Sequence, residues 1–468
     1  MVPPFARSGR ATGACARALA YAANGAVRRR WLDALVSLIA IPSVSATPAH
    51  RADVLRAAAH LAALARRAGL DVALESVRGG APHVVGRRHG SGGPALLAYG
   101  HYDVQPVGGG WHTDPFAPVV RGGKLYGRGA SDDKGQLFIH LAAMEAYAAA
   151  GAPPLDLTVW FEGEEEIGSP SAPFFLDRRL AALRADTVVV CDTEMASAQR
   201  PSLVYGLRGS VVLDAVVSGP ARDLHSGRYG GAIANPVHGL AALVASLHDD
   251  NGRVAVEAFY DDVRDVPPEE RVRLLDGPDD AAIADEAGVA PVAGESGFSA
   301  YERTAIRPAL IVTGIASGAR GAGAKASIPA RASARITARL VPEQDPVAIA
   351  HAVRAHLAAR VPPGLRLDLA LRGASPAVVL PAGDPALAAA ARALRATYGA
   401  WPALLRSGGS IPLVGQLHRR LDAPVVLMGF GLPSDAIHGP NERLDLAQFL
   451  RGVETMIRFY AELAEVAR

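Results

Sequence analysis

Four short apolar runs set the terms on which this chain can fold. They are "PALLAYG" (94–100), "LDLTVWF" (155–161), "DTVVVC" (186–191) and "APVVLMGF" (423–430). Each is far too short for a membrane span and apolar almost throughout, the pattern of strands buried on both faces. Helical stretches lie between and around them: "AVRRRWLDALVSLIAI" (26–41), "DKGQLFIHLAAMEAYAAA" (133–150) and "FLRGVETMIRFYAELAEV" (449–466). Apolar strands alternating with helices predict an α/β domain, its mostly parallel mixed sheet flanked by helices.

The middle of the chain follows a different rhythm. "SVVLDAVVSG" (210–219) alternates like a half-exposed strand, and "NPVHGLAALVASLHDD" (235–250) follows as a helix. A polar, partly helical stretch (251–306) precedes strand "PALIVTGI" (308–315), strand "ASARITARLVP" (332–342), helix "DPVAIAHAVRAHLAAR" (345–360) and strand "LRLDLALRG" (365–373). That order is β-α-β twice, as in a ferredoxin-like α/β sandwich inserted into the larger domain. The expected division is an arm over 1–23, a catalytic domain over 24–207 and 379–468, and an inserted lid and dimerisation domain over 208–378. A length of 468 residues agrees with more than one core.

Bulk properties exclude several classes of function. The net charge is +2 and there is no long basic run, so neither nucleic acid nor an acidic membrane is an expected partner. Cys15 and Cys191 form neither a disulfide framework nor a thiolate cluster, which points to a reducing compartment, the cytoplasm. The first two dozen residues carry Arg7, Arg10 and Arg17 without a solid apolar stretch, and read as a flexible arm rather than a signal peptide. No G-x-S-x-G elbow and no H-E-x-x-H helix is present. The glycine-rich "GARGAGAK" (318–325) lacks the phosphate-loop spacing and reads as a loop near the cleft.

In open α/β sheets, sites collect beyond the carboxyl ends of the strands. Five polar positions meet that condition here. His101 follows the first run, "EGEEE" (162–166) the second and Asp192 the third; His438 lies in the loop after the fourth, and Asp132 opens the helix after the first. Taken singly, each has a bland reading. A histidine after a strand is ordinarily a satisfied polar residue, and a triple glutamate is ordinarily a solvated loop. Asp103 and Asp133 could be turn or cap residues, His225 part of a turn, and Arg339 an exposed position on an alternating strand. Five together at one sheet edge are hard to assign to chance. Two histidines with several carboxylates and no thiolate suit zinc, manganese or cobalt. Asp132 could be shared between two ions, and Asp103 could fix the His101 tautomer.

"YGHYDVQP", "GRGASDDKGQ", "EGEEEIGS", "DLHSGRYGG", "ARLVP", "GGSIP" and "HGPNE" together resemble the dinuclear zinc exopeptidases and amidohydrolases. That family includes carnosinase-type dipeptidases, aminoacylases and succinyl-diaminopimelate desuccinylase, and the likeness is to its dipeptidase branch. The resemblance implies that His101, Asp132 and Asp192 hold one divalent ion. Asp132, Glu166 and His438 would hold the other, with zinc the expected metal. It implies that Glu165 is the general base acting on a metal-bridging water, with Asp103 behind His101. Arg339, with the backbone at Gly408, Gly409 and Ser410, would bind the substrate's carboxylate. His225 would enter the partner's active site in a homodimer and stabilise the oxyanion. The implied reaction is hydrolysis of dipeptides. The alternatives are N-acyl or N-carbamoyl amino-acid hydrolysis by the same chemistry, or a metal-dependent binding module without catalysis.

Overall fold

The computed structural model describes residues 13–90, 92–290, 293–318 and 325–466. They form two compact units, one comprising the chain up to Tyr205 with Leu380–Leu405 and Leu413 onward, the other Gly206–Val379 with Arg406–Pro412.

The first unit is built on a mixed sheet. Seven of its nine strands run in the order Asp71–Glu75, His83–Arg88, Asp156–Glu162, Ala95–His101, Thr187–Val190, Val425–Leu427 and Ser202–Leu207. Pairing is parallel through the centre, from Asp156–Glu162 to Val425–Leu427, and antiparallel at both flanks. All four apolar runs thus supply the parallel centre. Thr187–Val190 is buried at every residue, as a strand covered on both faces must be. Register places His101 beside Glu162, so the parallel strands end together at one edge.

Helix Lys134–Ala149 is the central covering element, buried without a break from Lys134 to Met144. Its first residue explains an otherwise costly position. Lys134 Nζ donates to the carbonyls of Leu38 (3.1 Å) and Ile41 (2.7 Å), at the carboxyl end of helix Gly25–Ile39. A cation there meets the negative end of the helix dipole. Burial nevertheless pushes its pKa down to about 7.

Part of the expected arm is a packed helix. Residues 1–12 lie outside the described residues, but Gly13–Ala22 is a helix with Cys15, Ala18 and Ala22 buried. Small side chains three and four apart make a flat face, and Arg17 anchors the helix by donating to the Ala150 carbonyl at 3.0 and 3.2 Å. Alanine gives a weak apolar signal, so the sequence does not announce this face.

The second unit has a four-stranded antiparallel sheet in the order Ala309–Ser317, Arg331–Leu340, Gly209–Ser218 and Arg366–Ser375. Helices Pro236–Ala245 and Pro346–Ala358 pack on it around Val211, Leu213, Leu240, Ile336 and Val353. Gly209–Ser218 alternates strictly between buried and half-buried, which is the expected signature of a sheet covered on one face. Residues 406–412, expected in the catalytic domain, group with this unit. Arg208 N donates to Gly409 O at 3.1 Å, Arg208 Nε to Gly408 O at 3.0 Å, and Tyr301 Oη to Arg406 O at 2.8 Å. Residues 319–324 of the glycine-rich segment lie outside the described residues.

Candidate metal centre

At the carboxyl edge of the parallel strands, Asp132 stands between two imidazoles. Its Oδ1 lies 3.0 Å from His101 Nε2 and its Oδ2 2.8 Å from His438 Nε2. Asp192 Oδ2 is 3.9 Å from His101 Nε2, and Glu166 Oε2 is 3.5 Å from His438 Nε2. All five expected ligands therefore converge, in two sets joined by Asp132.

Asp103 is the organiser behind His101. Its carboxylate lies 3.4 Å from His101 Nδ1, and its carbonyl 3.1 Å from the same nitrogen. The carboxylate also accepts from the backbone N–H of Glu165 and Glu166, at 3.1 Å each, and from Ser45 Oγ at 2.6 Å. One buried side chain thus aims a histidine and the glutamate loop together. The three glutamates of that loop are distinguished by their surroundings. Glu164 is engaged by Ser171 Oγ, and Glu166 Oε2 accepts from Gln105 Nε2 at 2.7 Å. Glu165 lies within the field of His101, Asp192 and Glu166.

The electrostatics are those of a crowded acid site. Burial, and then the charge of Asp132, pushes Asp192 up to about 7. Burial raises Glu165 well above the carboxylate range, with Asp192 and Glu166 adding to it against His101. Burial would raise Asp132 too, but His101 and His438 overcome it and hold the group below its ordinary value. Hydrogen bonds to Asp132 and Glu166 push His438 up to about 10. For His101, burial opposes charge but is outweighed by Asp103, Asp132 and Asp192, leaving it well above the ordinary value.

The donor set fits divalent metal. One ligand atom each from His101, Asp132 and Glu166 fall within 4.8 Å of one another. Glu166 Oε1 is buried without a hydrogen-bond partner, a cost that a bound cation would remove. Imidazole and carboxylate donors suit zinc, manganese or cobalt.

The model of Peptidase family M20/M25/M40 matches residues 97–462. The chain belongs to this family. The resemblance drawn from the motifs is borne out, including its dipeptidase branch. The Cys-Gly metallodipeptidase dug1 of Schizosaccharomyces pombe is 32% identical over 390 residues, 80% of each chain. The human Beta-Ala-His dipeptidase is 29% identical over 385 residues, 79% of this chain and 74% of its own. The crystal structure of human carnosine dipeptidase 1 superposes with a TM-score of 0.87 at 25% identity, covering 97% of this chain and 100% of that one.

In this M20/M25/M40 peptidase the remaining expected site residues belong to the second unit. Arg339 donates to Ser410 Oγ at 2.5 Å, next to Gly408 and Gly409. His225 is exposed, and its Nδ1 accepts from Gly227 N–H at 3.0 Å. Sequence reasoning left Asp133 as a turn or cap residue and passed over Arg128 and Glu442, all three of which buttress the candidate site. Asp133 stands at the N-cap position of helix Lys134–Ala149, but its side chain makes no capping bond; its Oδ2 accepts instead from His101 N–H at 3.1 Å. Arg128 and Glu442, both buried, form an ion pair of 2.8 Å beneath Asp132. Both stand inside motifs already singled out, "GRGASDDKGQ" and "HGPNE", but an Arg or Glu in a loop reads as a surface residue. No helix among the described residues is long and apolar enough to cross a membrane.

Proposed function

We propose that this peptidase hydrolyses dipeptides with two divalent ions per subunit, zinc first among the candidates. The reading rests on one observation above the others: Asp132 turns its two carboxylate oxygens to two different imidazoles, each flanked by a further carboxylate. His101, Asp132 and Asp192 would hold one ion; Asp132, Glu166 and His438 would hold the other. Bound there, the ions would supply Lewis-acid polarisation of the scissile carbonyl and lower the pKa of water.

The chain's own residues do the rest. Glu165, with its proton affinity raised by burial and by neighbouring acids, takes the proton of the attacking water and delivers it to the departing amine. Asp103 holds the Glu165–Glu166 backbone and the His101 ring in place. Arg339, buried enough for desolvation to lower its pKa, offers a planar guanidinium to the substrate's terminal carboxylate. Ser410 and the backbone of Gly408 and Gly409 complete that subsite. His225, from the partner subunit of a homodimer, would donate to the tetrahedral oxyanion. Cys15 and Cys191 are buried and in no disulfide, which supports a cytoplasmic setting.

The names of the relatives support dipeptides as the substrate class. The test is an assay of Cys-Gly, β-Ala-His and N-acetyl amino acids before and after chelation. Cleavage of dipeptides that stops on chelation and returns with zinc or manganese supports the proposal. Cleavage confined to the acylated amino acids overturns it.

A further inference from the structure

Glu442 is completely buried and Arg128 very nearly so, yet among the described residues neither makes a hydrogen bond or ion pair to a candidate ligand's side chain. Burying an ion pair ordinarily contributes little to stability, because desolvation offsets the attraction. Its retention here calls for another reason, and the hydrogen bonds supply one. Glu442 Oε1 accepts from the backbone N–H of Ser131 (3.0 Å) and Asp132 (3.1 Å). Its Oε2 accepts from Gly129 N–H (3.0 Å) and from Arg128 NH1 (2.8 Å). Arg128 NH2 then donates to the carbonyl of His438 at 3.0 Å. A single carboxylate therefore grips the backbone under Asp132 and, through one guanidinium, the backbone of His438.

The two histidines differ in how they are held. The His101 ring is fixed from behind through Nδ1 by Asp103. The half-exposed His438 ring meets only Asp132 and Glu166 through Nε2, and its Nδ1 has no partner among the described residues. His438 also sits at φ 63°, a left-handed backbone that a non-glycine residue holds only when its surroundings impose it. The position of this ligand is thus set through its main chain, and Arg128 holds that main chain.

We propose that the Glu442–Arg128 pair is a positioning device that sets the spacing between Asp132 and His438, and so the affinity of the ion those two share with Glu166. The inference rests on the two-ion reading. Glutamine at 442 would turn an amide N–H₂ toward backbone donors. Lysine at 128 would keep the charge pair but could not also reach the His438 carbonyl as a planar fork does.

The experiment titrates chelated full-length protein with cobalt(II), following heat and visible absorption, in wild type, Glu442→Gln and Arg128→Lys. Wild type should take two equivalents. Both variants should keep one at wild-type affinity and bind the second about 10- to 100-fold more weakly, the usual effect of losing an outer-shell partner. A folded variant that binds both equivalents as wild type does overturns the inference, as does equal weakening of both. If Glu442→Gln fails to fold, Arg128→Lys decides alone. If wild type itself takes fewer than two equivalents, the two-ion reading fails first, and that result is distinct from either variant outcome.

Discussion

Asp132 carries more of this account than any other side chain, and its neighbours divide the labour around it. Glu165 is proposed as the base, separate in role from the proposed ligands though adjacent to one in sequence. Glu165→Gln should leave metal content unchanged and lower kcat by about 10²- to 10⁴-fold, measured on the best dipeptide. Retained turnover would remove it from the mechanism. Asp103→Asn should act differently. It weakens a bond to His101 and places an amide against the N–H groups of Glu165 and Glu166, so metal affinity should fall by about 10- to 100-fold. Metal titration in the two variants separates base from organiser.

At the scale of elements, the buried strands were legible because burial on both faces leaves an apolar run that composition alone betrays. The histidines and carboxylates at their ends were legible because chemistry-bearing residue types recur at one edge. The helix Gly13–Ala22 was not, since cysteine and alanine bury a face without a strong apolar period. Arg128 and Glu442 escaped for the opposite reason: charged residues are buried only when paired, and the pair is 314 residues apart. The hidden helix makes its own prediction. Ala18→Leu should overpack its buried face and destabilise the protein by about 1–3 kcal/mol in urea denaturation. Ala16→Leu, on the exposed side, should stay within about 0.5 kcal/mol. Equal effects would mean that the helix does not pack as described.

For the whole molecule, the acid cluster links stability to pH and to metal. In the chelated protein, Asp192 has its pKa raised to about 7 and His438 to about 10. Groups raised on folding stabilise below their unfolded values, and that contribution is lost as pH rises through the folded values. The chelated protein should therefore lose these contributions progressively between about pH 4 and pH 10, Asp192 first. Cations need those same groups deprotonated. The gain in Tm on adding zinc should thus grow from pH 5 to pH 8; a gain that shrinks over that range would contradict the assignment. The most direct test of the central claim is the metal content per chain of purified protein, compared with that of Asp132→Ala. Two equivalents in wild type, with loss of tight binding at both positions in the variant, is the expected result. One equivalent in wild type, or two left intact without Asp132, would contradict a carboxylate shared between two ions.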